Sequence, residues 1–240
     1  MTKKDTNTEQ QIKDAARRVF HREGLEGARM QAIADEANIN KAMLHYYYRS
    51  KEKLFNEVFE EDYINQLAPI IQITRDPSIH VEDMIRLFVQ KYLDVMTANP
   101  QLPLFLMSEI ARNPDRLLAI TRKYAPLSES DDSDHDDMRA MTMIRQIEEG
   151  QKEGLYNPVN PEHFSVSLIG MCVYPIIARN TLMQAFRMNE EKYQTFVEER
   201  KEEVVDHAYR ILMKPEYYRQ RMTAENKNEP GWRLKNFIRS

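Results

Sequence analysis

Two short helical patterns lie between residues 29 and 48, and only a tight turn separates them. The first pattern places apolar residues on one helical face, at Met30, Ile33, Ala34 and Ala37. Asn38 follows, and asparagine is one of the few non-glycine residues that tolerate a positive φ angle. Asn40 can then cap the second helix with its side chain. The segment therefore predicts a helix-turn-helix.

The rest of the chain also favours helices. Only 6 of the 240 residues are glycine, and no segment shows the sustained alternation of Val, Ile and Thr that strands require. One buried face marks a first helix, at Ile12, Ala15, Ala16, Val19 and Phe20, with Gly24 as its stop. Ser50 is placed to cap a fourth helix. We predict an all-α fold.

The chain divides by composition into three parts. We predict a helix-turn-helix domain over residues 6–66, a larger helical domain over 67–214, and a C-terminal tail over 215–240. The net charge is −4, yet residues 1–55 hold 11 Lys and Arg against 8 Asp and Glu. A positive end on a negative body favours a polyanionic partner at the N-terminal domain.

Two long apolar helices are predicted near the C-terminus. Residues 163–186 are apolar on nearly every side, which predicts burial all round, and Pro175 should kink this helix. The next helix, over residues 189–213, carries a stripe at Tyr193, Val197, Val204, Ala208 and Ile211. Because one small domain cannot cover this much apolar surface, we predict a homodimer.

The sequence offers little to support catalysis. It has one cysteine, Cys172, which excludes an internal disulfide, and it shows no Ser/His/Asp or Cys/His arrangement, metal-ligand spacing or glycine-rich phosphate loop. We predict no enzyme activity, no cofactor and no metal. The acidic segment 128–137 is interpreted as a solvated loop, with a cation site as the alternative.

A membrane segment is not predicted. The first ten residues, MTKKDTNTEQ, are polar, and the longest apolar run, from Phe164 to Ala178, is shorter than the roughly 20 residues that span a bilayer. We therefore expect a cytoplasmic protein.

The run LHYYY at residues 44–48 divides between two roles. On a helix that begins at Lys41, Leu44 and Tyr48 share the inward face, whereas His45 and Tyr46 point to other faces. Outward His and Tyr side chains beside Lys and Arg suit phosphate oxygens. The alternative is that all the rings pack the small helices together.

The run GLEGARMQAIADEANINKAMLHYYYRSKEKLF, residues 24–55, resembles the TetR-type transcriptional regulators. The resemblance extends more weakly through EEGQKEGLYNPVNPEHF at residues 148–164 and through the apolar helix with Pro175. It implies a DNA-binding N-terminal domain and a larger helical domain for ligand binding and dimerisation.

The resemblance also assigns residues to DNA. The implied DNA-binding set is Arg29, Asn40, Lys41, Ala42, Met43, His45, Tyr46 and Lys51. Asn40 would cap the recognition helix, Ala42 would let the backbone approach the duplex, and Lys51 would meet a phosphate at a helix N-terminus. The chain departs from the family pattern at Ala28 and Arg29, which replace Thr or Ser, at Asn38, which replaces glycine, and at His45, which is commonly tyrosine.

We expect the ligand pocket among residues 84–178, with Glu109, Arg145 or Arg179 as polar handles. Its expected lining is Phe88, Tyr92, Phe105, Met107, Glu109, Met143, Ile147, Tyr174 and Arg179, and the alternative for each is plain core.

Together these features predict a one-component repressor. A homodimer would bind a pseudo-palindromic double-stranded DNA operator, and a small-molecule effector would release it. The alternative is a structural DNA-binding protein of the same fold that acts through a protein partner.

Overall fold

The computed structural model describes residues 3–124 and 142–227, with side chains from residue 7 to residue 223. Within these ranges the chain forms helices and no strand, apart from one isolated antiparallel bridge between Tyr156 and Met213. The all-α prediction is confirmed. The predicted acidic loop at 128–137 and the end of the tail, residues 228–240, lie outside the described residues.

Helices α1 to α5 form the N-terminal region. Their bounds are Lys3–Gly27 (α1), Met30–Glu36 (α2), Lys41–Tyr47 (α3), Lys51–Asp62 (α4) and Ala68–Ile73 (α5), with a π-helix at Tyr63–Leu67 between α4 and α5. The later helices are Val81–Ala98 (α6), Leu102–Arg112 (α7), Pro114–Tyr124 (α8), Thr142–Lys152 (α9), Pro161–Ile177 (α10), Arg179–Ala185 (α11), Glu190–Leu212 (α12) and Pro215–Lys227 (α13).

The described chain forms two compact units. The first unit contains residues 3–73, 91–124 and 176–179, and the second contains residues 74–90, 142–175 and 180–227. In the first unit, α1 packs against α2, α4 and α7.

The core of the first unit follows the pattern of α1. The five residues of its predicted face are fully buried: Ile12, Ala15, Ala16, Val19 and Phe20. Gly24 interrupts the helix with a φ angle of 67°, and the chain closes one more turn before α2. The predicted stop is therefore a kink.

An aromatic cluster joins α1, α4 and α7 inside the first unit. Phe20 meets Phe55 edge-on at 5.0 Å between ring centroids, and Phe105 contacts Phe55 at 5.6 Å and Phe59 at 5.7 Å. The ring of His21 lies 4.7 Å from that of Phe105. These rings hold α7 against the N-terminal helices.

Helix α12 of the second unit has nearly the predicted bounds. Asn189 caps it by accepting a hydrogen bond from the backbone N–H of Lys192, and Met213 ends it. Four residues of the predicted stripe are buried: Tyr193, Val197, Val204 and Ala208. The fifth, Ile211, is exposed in the single chain.

The apolar segment 163–186 is predicted to form one helix that is kinked at Pro175 and buried all round. The prediction of one helix is wrong, whereas complete burial is not reached within the single chain and stays a prediction for a dimer. The segment forms α10 and α11, whose axes differ by 70°, and the break follows Ile177, two residues after Pro175. Proline disturbs the turn that precedes it, and α10 continues through Pro175, so the predicted kink at Pro175 does not account for a bend after Ile177. Several apolar side chains of α10 are exposed in the single chain, including Val166, Ile169 and Tyr174.

The start of the predicted tail forms α13 and docks within the second unit. The Tyr217 hydroxyl donates to the buried carboxylate of Glu82 at 2.9 Å, and the Arg221 guanidinium donates to Asp83 at 2.7 Å. Tyr156 donates to the same Glu82 carboxylate at 2.5 Å. Three polar contacts, two from α13 and one from the segment between α9 and α10, thus converge on the first turn of α6.

Candidate nucleic-acid interface

The turn between α2 and α3 is fixed by its backbone. Asn38 has a φ angle of 52°, as its position predicts, and its N–H donates to the carbonyl of Asp35 at 3.0 Å. The N–H of Ile39 donates to the carbonyl of Ala34, also at 3.0 Å. Asn40 then accepts a hydrogen bond from the N–H of Met43 at 2.7 Å. The predicted cap of α3 is therefore confirmed.

The residues of α3 divide between core and surface as their spacing predicts. Leu44 is fully buried, and so is Tyr48 just after the helix. The remaining members of the predicted set on this helix are all exposed: Lys41, Ala42, Met43, His45 and Tyr46. Helix α3 thus presents one face of polar, basic and aromatic side chains.

Tyr48 anchors the C-terminal end of α3 through contacts of its hydroxyl. Its hydroxyl lies 3.0 Å from a carboxylate oxygen of Glu57 and 3.4 Å from one of Glu9. Burial, and then the Glu57 carboxylate, raise the pKa of Tyr48 well above its ordinary value. The ring therefore stays neutral and serves as a packed hydrogen-bond donor.

Tyr46 is the most outward ring of the run, with 82% of its surface exposed. Tyr47 is half-buried and meets it edge-on, with centroids 5.4 Å apart and planes at 90°. The half-buried ring supports the exposed one from the side. A fixed, outward tyrosine can donate to a phosphate or pack against a sugar.

Arg29 stands at the start of α2. Its carbonyl accepts the first hydrogen bond of the helix, from the N–H of Ile33 at 3.1 Å, and its side chain is exposed and makes no capping bond. Ala28 beside it is buried. The guanidinium is therefore directed to the surface from the N-terminal end of α2.

Lys51 makes a contact that the sequence did not predict. Its side chain is half-buried, and the amine donates to the carbonyl of Ala28 at 3.0 Å and to that of Glu26 at 3.4 Å. Ser50 caps α4 beside it by accepting from the N–H of Lys53 at 3.1 Å. The partners of Lys51 are more than 20 residues away, and no local sequence signal marks them.

Residues 12–58 match the family model described as bacterial regulatory proteins, tetR family. The N-terminal domain is of the TetR type. The matched residues contain the helix-turn-helix and the predicted DNA-binding residues from Arg29 to Lys51.

Two named relatives are similar in sequence to this chain. The HTH-type transcriptional repressor NicS of Pseudomonas putida is 28% identical over 186 residues, which is 73% of this chain and 78% of NicS. The HTH-type transcriptional repressor SCO4008 of Streptomyces coelicolor is 36% identical over 95 residues, which is 40% of this chain and 45% of that protein.

Solved structures share the fold. The crystal structure of HlyIIR, a haemolysin II transcriptional regulator, aligns with a TM-score of 0.56 at 21% identity, over 87% of this chain and 98% of that one. A transcriptional regulator from Streptomyces coelicolor, SCO4942, aligns with a TM-score of 0.55 at 22% identity, over 87% of this chain and 99% of that one.

The predicted ligand set of this chain is distributed over both units. Tyr92, Phe105, Met107 and Glu109 lie in the first unit. Phe105 belongs to the aromatic cluster described above. The carboxylate of Glu109 is buried and accepts from Arg116 at 2.6 Å, and the Arg116 guanidinium lies 4.8 Å over the ring of Phe55.

The remaining predicted ligand residues fall elsewhere. Phe88, Met143 and Ile147 are buried in the second unit, whereas Tyr174 of the same unit is 59% exposed. Arg179 is half-buried and is assigned to the first unit. No single unit gathers all nine residues, and the pocket therefore stays a prediction.

The described residues, 3–124 and 142–227, lack two kinds of feature. No group of three or more His, Cys, Asp or Glu side chains in these ranges is arranged to hold a metal ion. No single described helix is long and apolar enough to cross a membrane, and α10 and α11 meet that test only as a pair, across their bend. Cys172 is buried, and burial raises the pKa of its thiol to about 12.

Proposed function

We propose that this chain is a transcriptional repressor that binds a pseudo-palindromic operator as a homodimer and releases it when a small molecule binds. The observation that carries the proposal is the division of α3 between a buried anchor and an exposed face. Leu44 and Tyr48 fix the helix, so Lys41, His45 and Tyr46 project from a rigid element. Rigid presentation is what the reading of a DNA groove requires.

The exposed residues have different roles in this proposal. Asn40 sets the start of α3, and the short side chain of Ala42 lets the backbone approach the duplex. Lys41 and Met43 face the groove edges, where base identity is read. Arg29, His45, Tyr46 and Lys51 surround them and meet phosphate oxygens, which fixes the register without carrying sequence information.

Homodimerisation is supported by the exposed face of α10. Val166 and Ile169 are 65% and 40% exposed, although both are large and apolar. Gly170 lies on the same face, and a Cβ atom added there would meet nothing within 4 Å. An open apolar strip with a glycine in its middle suits close approach by the α10 of a second copy.

Repression is supported by the names of the relatives. NicS and SCO4008 are both named transcriptional repressors, and the first of them aligns over most of both chains.

Release by an effector follows from the geometry of a dimer. Two recognition helices must lie about 34–36 Å apart to read successive major grooves, so a ligand that prefers another separation weakens binding.

The experiment that tests the proposal is selection from a pool of random DNA duplexes, followed by sequencing of the bound fraction. We expect an enriched inverted repeat with half-site centres about one helical turn, or a multiple of it, apart. A Lys41→Ala variant should change the preferred bases, because its side chain faces the groove. Enrichment of no sequence, or of a single unrepeated half-site, would contradict the operator model.

A further inference from the structure

A polar cavity of about 440 Å³ lies in the first unit, beneath the helix-turn-helix. Helix α1 lines one side of it with Arg17 and His21. The end of α4 and the π-helix line the other side with Glu61, Asp62, Asn65 and Gln66. We call this the junction cavity. Its volume falls within the range of about 300–1,000 Å³ that is typical of small-molecule sites.

A fixed network of charges forms one wall of the junction cavity. The Asp62 carboxylate is buried and accepts from Arg17 Nε at 2.7 Å, while His21 Nε2 lies 2.7 Å from its other oxygen. The Arg17 guanidinium also donates to Glu61 at 2.7 Å and to Asp14 at 2.8 Å. Lys13 pairs with Glu61 from the far side. The side chains are thus held in place before any ligand arrives.

The charges of this network do not balance. Three carboxylates, those of Asp14, Glu61 and Asp62, face two permanent cations, Lys13 and Arg17. Counted without His21, the network carries one excess negative charge. A negative wall at the side of a cavity favours a cationic occupant, since an unbalanced charge in a sheltered site is costly.

The π-helix, on the same side of the cavity as Glu61 and Asp62, supplies hydrogen-bonding side chains. The side-chain amides of Asn65 and Gln66 make no hydrogen bond to another residue that the structure describes. Both belong to the π-helix, and π-helical turns are frequent at functional sites. An amide offers a carbonyl acceptor to an N–H donor, so this wall also suits a ligand rich in N–H groups.

We propose that the junction cavity is a binding site for a small organic cation that carries an amine or guanidinium group. The protein already shows that this wall accepts such a group, because the Arg17 guanidinium bridges Glu61 and Asp62. Carboxylate oxygens can each accept more than one hydrogen bond. A bound cation would use the remaining capacity of Glu61 together with the Asn65 and Gln66 amides.

None of the residues of the predicted DNA-contacting face or of the predicted ligand pocket lines the cavity, although the ring of His21 contacts that of Phe105. It joins α1 to the end of α4, the two helices that support the recognition helix. An occupant would therefore add a link inside the DNA-binding unit. The proposal does not depend on the operator model, and its test needs no DNA.

The test is isothermal titration calorimetry of the full chain with agmatine, which carries both an amine and a guanidinium, and with succinate as a dianion of similar length. We expect saturable agmatine binding with one site per chain and no heat of binding with succinate. Asn65→Asp adds a second negative charge to the exposed wall and should tighten agmatine binding. Asn65→Lys should weaken it by roughly tenfold or more, because like charges are brought together.

Asn56→Lys is the matched control, because Asn56 is an exposed asparagine of α4 that does not line the cavity. It adds the same charge to the same unit, and it should leave agmatine binding nearly unchanged. Thermal unfolding of each variant checks that the fold is intact. Absence of saturable agmatine binding, equal binding of succinate, or equal effects of the two lysine variants would each overturn the proposal.

Discussion

The side-chain amine of Lys51 lies 3.0 Å from the carbonyl oxygen of Ala28, at the connection between α1 and α2. Lys51 opens α4, and Ala28 precedes Arg29, so one hydrogen bond ties the start of α4 to the start of α2. Lys51, which family resemblance assigns to a phosphate, therefore also stabilises the contact between α4 and α2 in the free protein. A lysine amine has three N–H donors, which allows it to keep a carbonyl partner and add a phosphate.

Lys51→Ala should weaken binding to operator and to random DNA by similar factors, because a phosphate contact carries no sequence information. The slope of log affinity against log salt should fall by roughly one per neutralised phosphate. Fluorescence anisotropy at several salt concentrations measures both quantities. Lys53→Ala is the control, since Lys53 is exposed two residues later. An unchanged salt slope for Lys51→Ala would mean that the Lys51 amine bonds only the carbonyls of Ala28 and Glu26 and contacts no phosphate.

Leu44→Ala should lower stability, whereas Tyr46→Ala should weaken DNA binding, although the two residues are only two positions apart. Leu44 is fully buried, so its truncation should lower the free energy of unfolding by about 2–5 kcal/mol. Tyr46 is exposed, so its truncation should leave stability within about 0.5 kcal/mol while it weakens operator binding. Urea unfolding and anisotropy measure the two effects. A stability loss of equal size at Tyr46 would place its ring in the core.

Ile169→Asp should convert the homodimer to a monomer that remains folded. Ile169 is exposed in the single chain, so an aspartate there is tolerated in the monomer and becomes an unpaired charge in the dimer. Sedimentation velocity measures the change. Ile110→Asp is a matched control, because Ile110 of α7 is an isoleucine with the same 40% exposure. Ala208 cannot serve here, since it is buried within one chain. A dimeric Ile169→Asp variant would mean that α10 is not the interface.

The docking of α13 should weaken at alkaline pH. Burial, and then the Glu82 carboxylate, raise the pKa of Tyr217 to about 12, above the value near 10 of an unfolded tyrosine. Its contribution to stability is complete below pH 10 and is lost as the pH rises through 12. Urea unfolding between pH 9 and 11.5 should show the wild type and Tyr217→Phe converging. A difference in the free energy of unfolding that stays constant with pH would exclude Tyr217 as the cause of the alkaline weakening. Tyr174→Phe is the control, because Tyr174 is exposed, and it should follow the wild type.

Local features of the fold could be predicted from the sequence. The caps at Asn40, Ser50 and Asn189 depend on a side chain and a backbone N–H three residues later, and the positive φ of Asn38 depends on one residue. The division of Leu44 from Tyr46 depends only on helical periodicity. Such features are decided within a few residues and need no knowledge of the tertiary fold.

Contacts between distant residues could not be predicted in this way. The bond from Lys51 to Ala28, the burial of Asp62 between Arg17 and His21, and the anchoring of Tyr217 on Glu82 join residues 23 to 135 positions apart. The exposure of the apolar strip on α10 in the single chain could not be predicted either. Hydrophobicity indicates that a surface avoids water, and not which chain covers it.

The contact of Phe105 with Phe55, Phe59 and His21 bears on how the DNA-binding region can be isolated. A fragment of residues 1–66 would keep the whole helix-turn-helix but would leave these three rings without the side chain that packs on them. Cooperative folding follows packed neighbours, not linear order, so the minimal autonomous module should include α7 as well as α1 to α4. A fragment that ends at the predicted boundary should be aggregation-prone, and fusing α7 to it through a short linker should restore a sharp unfolding transition.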